Sequence, residues 1–75
     1  MTGYSVKFAK IVSKANQELA GVMLGKLCIE KDISVIEVSK HFSVSRTAIY
    51  AWFTGKSIPN KVHEVKIYKY LKKKA

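Results

Sequence analysis

Cysteine and proline occur once each in this 75-residue chain, and aspartate and glutamate together only five times. With Cys28 alone, no intrachain disulfide can form, which fits a reducing compartment. Its neighbours Leu27 and Ile29 are apolar, so Cys28 reads as an inert core thiol. One proline and an unenriched glycine content argue against disorder, except at the two ends. No run of 18 apolar residues occurs and no signal-peptide core is visible, so no membrane-spanning segment is expected. His41 and His63 lie far apart and, with one cysteine, supply no metal-ligand spacing. There is no glycine-rich phosphate loop, no G-x-S-x-G and no carboxylate pair suited to acid–base work. Neither an enzyme nor a cofactor is expected.

Against the five acids stand 14 lysines and arginines, a net charge of +9. Such an excess repels itself unless it meets a polyanion. Nucleic acid, an anionic membrane surface and an acidic protein patch are the candidate partners; the alternative is a solvated lysine coat. Hydrophobic residues make up 48%, ordinary for a folded domain. At this length one domain, residues 1–75, is the limit, and it buries only about 60% of its unfolded surface.

The hydrophobic rhythm predicts four or five short helices. Residues 1–4 are expected to be loose. From Ser5 to Ala15, Phe8, Ile11, Val12 and Ala15 follow helical spacing, with Lys7, Lys10 and Lys14 on the other side. Val6-Lys7-Phe8 also alternates, which leaves a short strand as the alternative. Asn16 can cap a second helix from about Gln17 to Lys31, with Leu19, Ala20, Met23, Leu24, Leu27 and Cys28 as its apolar face. Gly21 and Gly25 sit inside it at about 1 kcal/mol each against alanine. Either another backbone approaches them closely or they are two tolerated exposed glycines. Ser34 and Glu37 form a capping box for a helix from Val35 to about Phe42. Ser43-Val44 makes a turn, Ser45 caps the next helix to about Thr54, and Gly55 stops it. Asn60 can cap a last helix with Val62, Val65, Tyr68 or Lys69, and Leu71 or Lys72 as its stripe. Ile67 and Tyr70 widen its apolar share, and residues 72–75 form a basic tail.

Residues 35–54 read as one unit of two steeply crossing helices. The turn Phe42-Ser43-Val44 has the needed length. Ser39 is small where the backbones meet. Val38 and Phe42 face inward from the first helix, Ile49 and Trp52 from the second, and Val44 plugs the turn. One face of the second helix is left outside: Arg46, Thr47, Tyr50 and, near its end, Thr54.

The stretch "LGKLCIEKDISVIEVSKHFSVSRTAIYAWFTGKSIP", residues 24–59, resembles the helix-turn-helix of the phage-repressor and Cro (lambda-repressor-like) family. The resemblance rests on the Ser34/Glu37 opening, "VSR", the "AWFTGK" ending and Pro59, and covers about half of the chain. Two positions depart from it. Ser43 stands where the family commonly has glycine, and serine costs energy there if its φ is positive. Ser39 stands where the family usually has alanine, and its hydroxyl then needs a local backbone partner. The segment before Leu24 exceeds the family's minimum, and residues 1–16 have no role assigned by the resemblance.

The resemblance implies an all-α bundle whose helix 45–54 lies in the major groove of double-stranded DNA. Arg46 would then fork onto guanine O6 and N7, and Thr47 would meet a base edge or a thymine methyl. Tyr50 would reach a base or a phosphate; alternatively it packs on the last helix. Ser45, Thr54 and Lys56 would contact backbone phosphates at the ends of that helix, with Ser34 and Lys40 helping from the first helix. One such helix reads only a few base pairs, so a homodimer on inverted half-sites about 34 Å apart is expected. The implied setting is a cytoplasmic transcription regulator, repressor-like, at the nucleoid of a bacterial or phage-infected cell. The competing reading is an interaction module whose basic surface grips an acidic protein such as part of the transcription machinery. A membrane-surface role through the basic ends leaves the 35–54 core unexplained. Ile67, Tyr68 and Tyr70 exceed one inward stripe and suit a dimer surface or a cover for the N-terminal helix.

Overall fold

Ser5, Ser34 and Ser45 each accept a hydrogen bond through Oγ from the backbone N–H three residues on, at 3.0, 3.1 and 3.1 Å. Asn60 does the same through Oδ1 for His63 N–H at 2.9 Å. Each bond satisfies a donor that a helix start leaves without an intrahelical partner. These four residues open four of the five α-helices in the computed structural model, which describes residues 4–74. The helices are α1 (Val6–Lys14), α2 (Ala20–Lys31), α3 (Val35–Phe42), α4 (Arg46–Thr54) and α5 (Lys61–Lys74). They form an all-α bundle of short helices, without strands among the described residues.

Three of the helices end on residues in the left-handed region: Asp32 (φ 58°), Ser43 (φ 56°) and Gly55 (φ 80°). Glycine tolerates this freely, whereas serine and aspartate carry a Cβ that crowds the backbone. The strain anticipated at Ser43 is therefore present. Ser39 also finds its local partner, since its hydroxyl donates to the carbonyl of Ile36 at 2.9 Å.

The N-terminal half differs from the sequence reading in three ways. Tyr4 is not loose: its hydroxyl donates to the carbonyl of Ile33 at 2.6 Å, and its ring stacks on Phe8 at 5.8 Å. Residues 1–3, also expected to be loose, lie outside the described residues. The strand alternative for Val6-Lys7-Phe8 gives way to α1, which seats Val12 in the core. Asn16 does not cap α2. Its Oδ1 accepts from Glu18 N–H at 3.0 Å and closes a turn, and the helix starts three residues later than Gln17, behind Leu19, without a side-chain cap. Gln17 is spent on the preceding helix: its amide donates to the carbonyls of Val12, Ser13 and Ala15 near the end of α1.

α2 is the central helix, and its glycines decide how α4 lies on it. A Cβ on Gly21 would stand 2.7 Å from the carbonyl oxygen of Trp52 and 2.8 Å from its Cβ; one on Gly25 would stand 2.9 Å from Phe53 Cγ. Of the two readings open for this pair, close backbone approach is the one realised. The core around this contact includes Val12, Val22, Leu24, Cys28, Val38, Phe42, Ile49 and Phe53, all essentially inaccessible.

α5 buries a different stripe from the one expected. Val62 and Val65 are exposed, and Ile67 and Tyr70 are buried. At 3.6 residues per turn, the face carrying His63, Ile67 and Tyr70 is rotated by about 100° from Val62. Aromatic packing selects it: His63 lies 5.3 Å from the Trp52 ring, and Tyr70 lies 5.6 Å from Phe42 and 4.8 Å from His41. Tyr70 thus serves the core, while Tyr68 stays exposed. Residues 72–74 are not a tail but the last turn of α5, with the Lys74 ammonium 5.7 Å from the centre of the Tyr70 ring. Ala75, the end of the expected tail, lies outside the described residues.

Candidate nucleic-acid interface

The α3–turn–α4 unit begins at the expected residues. α3 runs from Val35 behind Ser34, and α4 runs from Arg46 behind Ser45 to Thr54. Val38, Phe42, Ile49 and Trp52 are buried, and Val44 and Ser39 are half-buried at the turn and at the middle of α3. Phe53, beside Trp52, is fully buried as well, because α4 meets α2 on that side. With Ile49, Trp52 and Phe53 turned inward, helical spacing turns Thr47 away from them and sets Tyr50 on the flank, while Arg46, one turn before Ile49, lies at the edge of the inner face in the first turn; all three are exposed.

The hydroxyls near this face are not equivalent. Ser45 and Ser34 use Oγ as acceptor for their helix caps, so each keeps an O–H to give to an anion. Both side chains are exposed. Thr54 instead donates its hydroxyl to the carbonyls of Tyr50 and Ala51, at 2.9 and 3.3 Å, and is half-buried. As placed, the hydroxyl expected to meet a phosphate is engaged within α4 itself. Lys56 is exposed just beyond Gly55. Lys40 is exposed in the last turn of α3, with Ser34 at the other end of that helix.

Two hollows border the outward face of α4. The larger, about 420 Å³, is lined by Thr47, Tyr50, Ala51, Thr54 and Lys56 on the α4 side and by Phe8 and Ile11 on α1. The other, about 240 Å³, brings Arg46 and Tyr50 together with Ser34, Val35, Ile36 and Tyr4. Ser34, Arg46 and Tyr50 thus share one concavity although the chain separates them by up to 16 positions.

Sequence reasoning missed the part played by α1. Tyr50 does not pack on α5; its ring receives Phe8 of α1 edge-on at 5.3 Å. Phe8 and Ile11 stood at helical spacing in the sequence, but spacing within one helix carries no information about which neighbour receives its face.

Tyr4 and Tyr70 have hydroxyl pKa values above the ordinary tyrosine range, chiefly because burial disfavours the phenolate. The Cys28 thiol is pushed up to about 12, again mainly by burial. Tyr4 lines the hollow that holds Arg46 and Tyr50, with its hydroxyl donated to the carbonyl of Ile33. No cluster of histidine, cysteine and carboxylates able to hold a metal occurs among the described residues. No described helix is long and apolar enough to cross a membrane.

No family model, curated protein or solved structure matches this chain.

Proposed function

We propose that the chain binds double-stranded DNA by laying α4 in the major groove and acts as a small transcriptional regulator, repressor-like in form. The observation that carries this reading is the division of α4 into two faces. Ile49, Trp52 and Phe53 hold the inner face, while Arg46, Thr47 and Tyr50 are exposed at the start of the outer one. An arginine near the N-terminus of an outward helix is placed to fork onto guanine O6 and N7, and a threonine beside it to meet a base edge or a thymine methyl. The hydroxyls of Ser45 and Ser34 and the ammonium of Lys56 surround that face as phosphate donors. With a net charge of +9, the sequence-independent attraction to the duplex is strong and falls with salt. A second copy on an inverted half-site would extend the few base pairs one α4 can read.

A second reading is favoured by the groove between α1 and α4, whose α1 side is the apolar pair Phe8 and Ile11. There the same face would hold a segment of a protein partner, such as part of the transcription machinery, with the basic surface as its guide.

Selection from a random duplex library at near-physiological salt separates the two, with Arg46→Ala run in parallel. The DNA reading expects a recovered motif that Arg46→Ala loses while its helical circular dichroism stays intact. An Arg46→Ala protein as selective as wild type would falsify the assignment of α4, and bulk salt-sensitive binding without a motif would favour the protein partner.

A further inference from the structure

A second cationic surface lies behind α4, where the C-terminal end of α3 meets α5. Lys66, Lys69 and Lys73 follow one flank of α5 and line a cleft of about 400 Å³ whose other wall is His41. Tyr70 forms the floor, and the His41 ring is seated against both Phe42 and Tyr70, at 4.8 Å from each. All three lysines are exposed, and no carboxylate forms an ion pair with them among the described residues. One acid, Glu37, borders the adjoining hollow with Lys73 and Lys74.

We propose that this cleft is a second binding site for a duplex nucleic-acid backbone, so that one chain can hold two duplex segments. The lysine row matches such a ligand in charge spacing. From Lys66 to Lys73 the helix rises about 10 Å, a length along which one strand of a duplex carries about three phosphates. Three ammonium groups therefore meet about three phosphates. The walls of lysine and imidazole contain no planar fork for reading bases, which suits contact with a regular backbone.

The cleft and the outward face of α4 lie on different sides of the bundle. His63 of α5 packs on Trp52, which belongs to the inner face of α4, so α5 sits behind α4 and not beside its exposed residues. α3 separates the two sites further. Ser34 at its start shares a hollow with Arg46, whereas His41, seven residues on and about 10 Å further along the axis, walls the cleft. That the first duplex sits on α4 rests on the function proposed above; the lysine cleft stands on its own geometry.

The test is capture of one duplex by another. A duplex with the preferred site is immobilised, the full chain is added below saturation, and a labelled duplex of unrelated sequence follows at near-physiological salt. Wild type is expected to retain the labelled duplex. The triple variant Lys66→Ala, Lys69→Ala, Lys73→Ala changes only exposed side chains. It is expected to bind the immobilised duplex with unchanged sequence preference, and to retain at least ten-fold less of the labelled one. Undiminished capture by this variant would overturn the proposal, because bridging would then come from another route such as self-association. Capture and first-duplex binding lost in parallel, with Arg46→Ala still abolishing sequence preference, would also overturn it by putting the lysines on the α4-bound duplex. If Arg46→Ala binds like wild type and the lysine variant binds nothing, the cleft is the first duplex site, and both the α4 reading and the proposal of two duplex sites fail.

Discussion

Phe8 meets Tyr50 edge to face, with ring centres 5.3 Å apart, and so joins the first helix to the face of α4 that carries the candidate base-reading residues. Tyr4 and Phe53 lie within reach of the same ring, at 5.8 and 6.3 Å. Edge-to-face pairs contribute about 0.5–1.5 kcal/mol beyond the area they bury. Phe8→Ala should lower stability by about 2 kcal/mol, since the ring is half-buried and its loss also frees Tyr50. Urea denaturation checks the stability. A parallel duplex-binding measurement should show weaker selectivity than wild type, because Tyr50 loses the contact that orients it. Unchanged selectivity would mean that Tyr50 does not read the duplex.

The glycine pair gives a prediction opposite in sign to helix propensity. In an exposed helix, glycine to alanine gains about 1 kcal/mol. In α2 the added methyl meets the Trp52 backbone at Gly21 and the Phe53 ring at Gly25. Each of Gly21→Ala and Gly25→Ala should therefore destabilise by about 1–3 kcal/mol, the usual cost of overpacking. Gly21→Ala should be the worse, because its methyl would stand closer, 2.7 Å from the main-chain oxygen of Trp52 against 2.9 Å from Phe53 Cγ at Gly25. Thermal unfolding of the two variants compares them directly.

Ser43 adopts φ 56° at the end of α3. Ser43→Gly relieves the crowding of its Cβ and should stabilise by about 1 kcal/mol. In a domain of this size that raises Tm by roughly 4–8 °C. A lower Tm would show that the serine makes a compensating contribution.

Burial raises the Cys28 thiol from 9.0 to about 12. Its protonated form is favoured by the fold, so the associated stability is complete below pH 9. Between pH 9 and about 12 the unfolded chain releases a proton that the folded chain keeps, and stability falls as pH rises through that window. Cys28→Ala should remove the part of the alkaline decline that begins near pH 9, leaving a decline that follows the tyrosines. Urea midpoints from pH 8 to 11 measure this. At pH 8 the folded thiol should also resist alkylation until urea exposes it.

Lys56 follows Gly55 at the end of α4 and is exposed. If its ammonium meets a phosphate, Lys56→Ala weakens binding to all duplexes alike. The log–log salt dependence then flattens by about 0.9. A change confined to one sequence would instead make Lys56 a base-reading residue.

The unit from Ser34 to Gly55 was legible in the sequence because its signals are local. A serine Oγ reaches an N–H three residues away, glycine ends a helix by its own φ, and a small hydrophobic set repeats with the helical period. None of these needs a distant partner. The stripe on α5 was misread for the converse reason: Val62, Val65, Ile67, Tyr68 and Tyr70 offer more than one apolar face. Only the rings of Trp52, Phe42 and His41 choose between them.

The amino-acid sequence by itself determined the helix starts at Ser34, Ser45 and Asn60, the all-α class, the excess of positive charge and the inward set Val38, Phe42, Ile49 and Trp52. Capping, turn chemistry, charge and periodicity act within a few bonds or a few residues, so they are written in the order of the chain. Tertiary structure alone decided that Gly21 and Gly25 admit α4, that Phe8 flanks Tyr50, that Tyr4 is tied to Ile33, and that Lys66, Lys69 and Lys73 face His41. Those relationships join residues far apart in the chain, from 25 positions between His41 and Lys66 to 42 between Phe8 and Tyr50, and packing selects among faces that local chemistry leaves equally available.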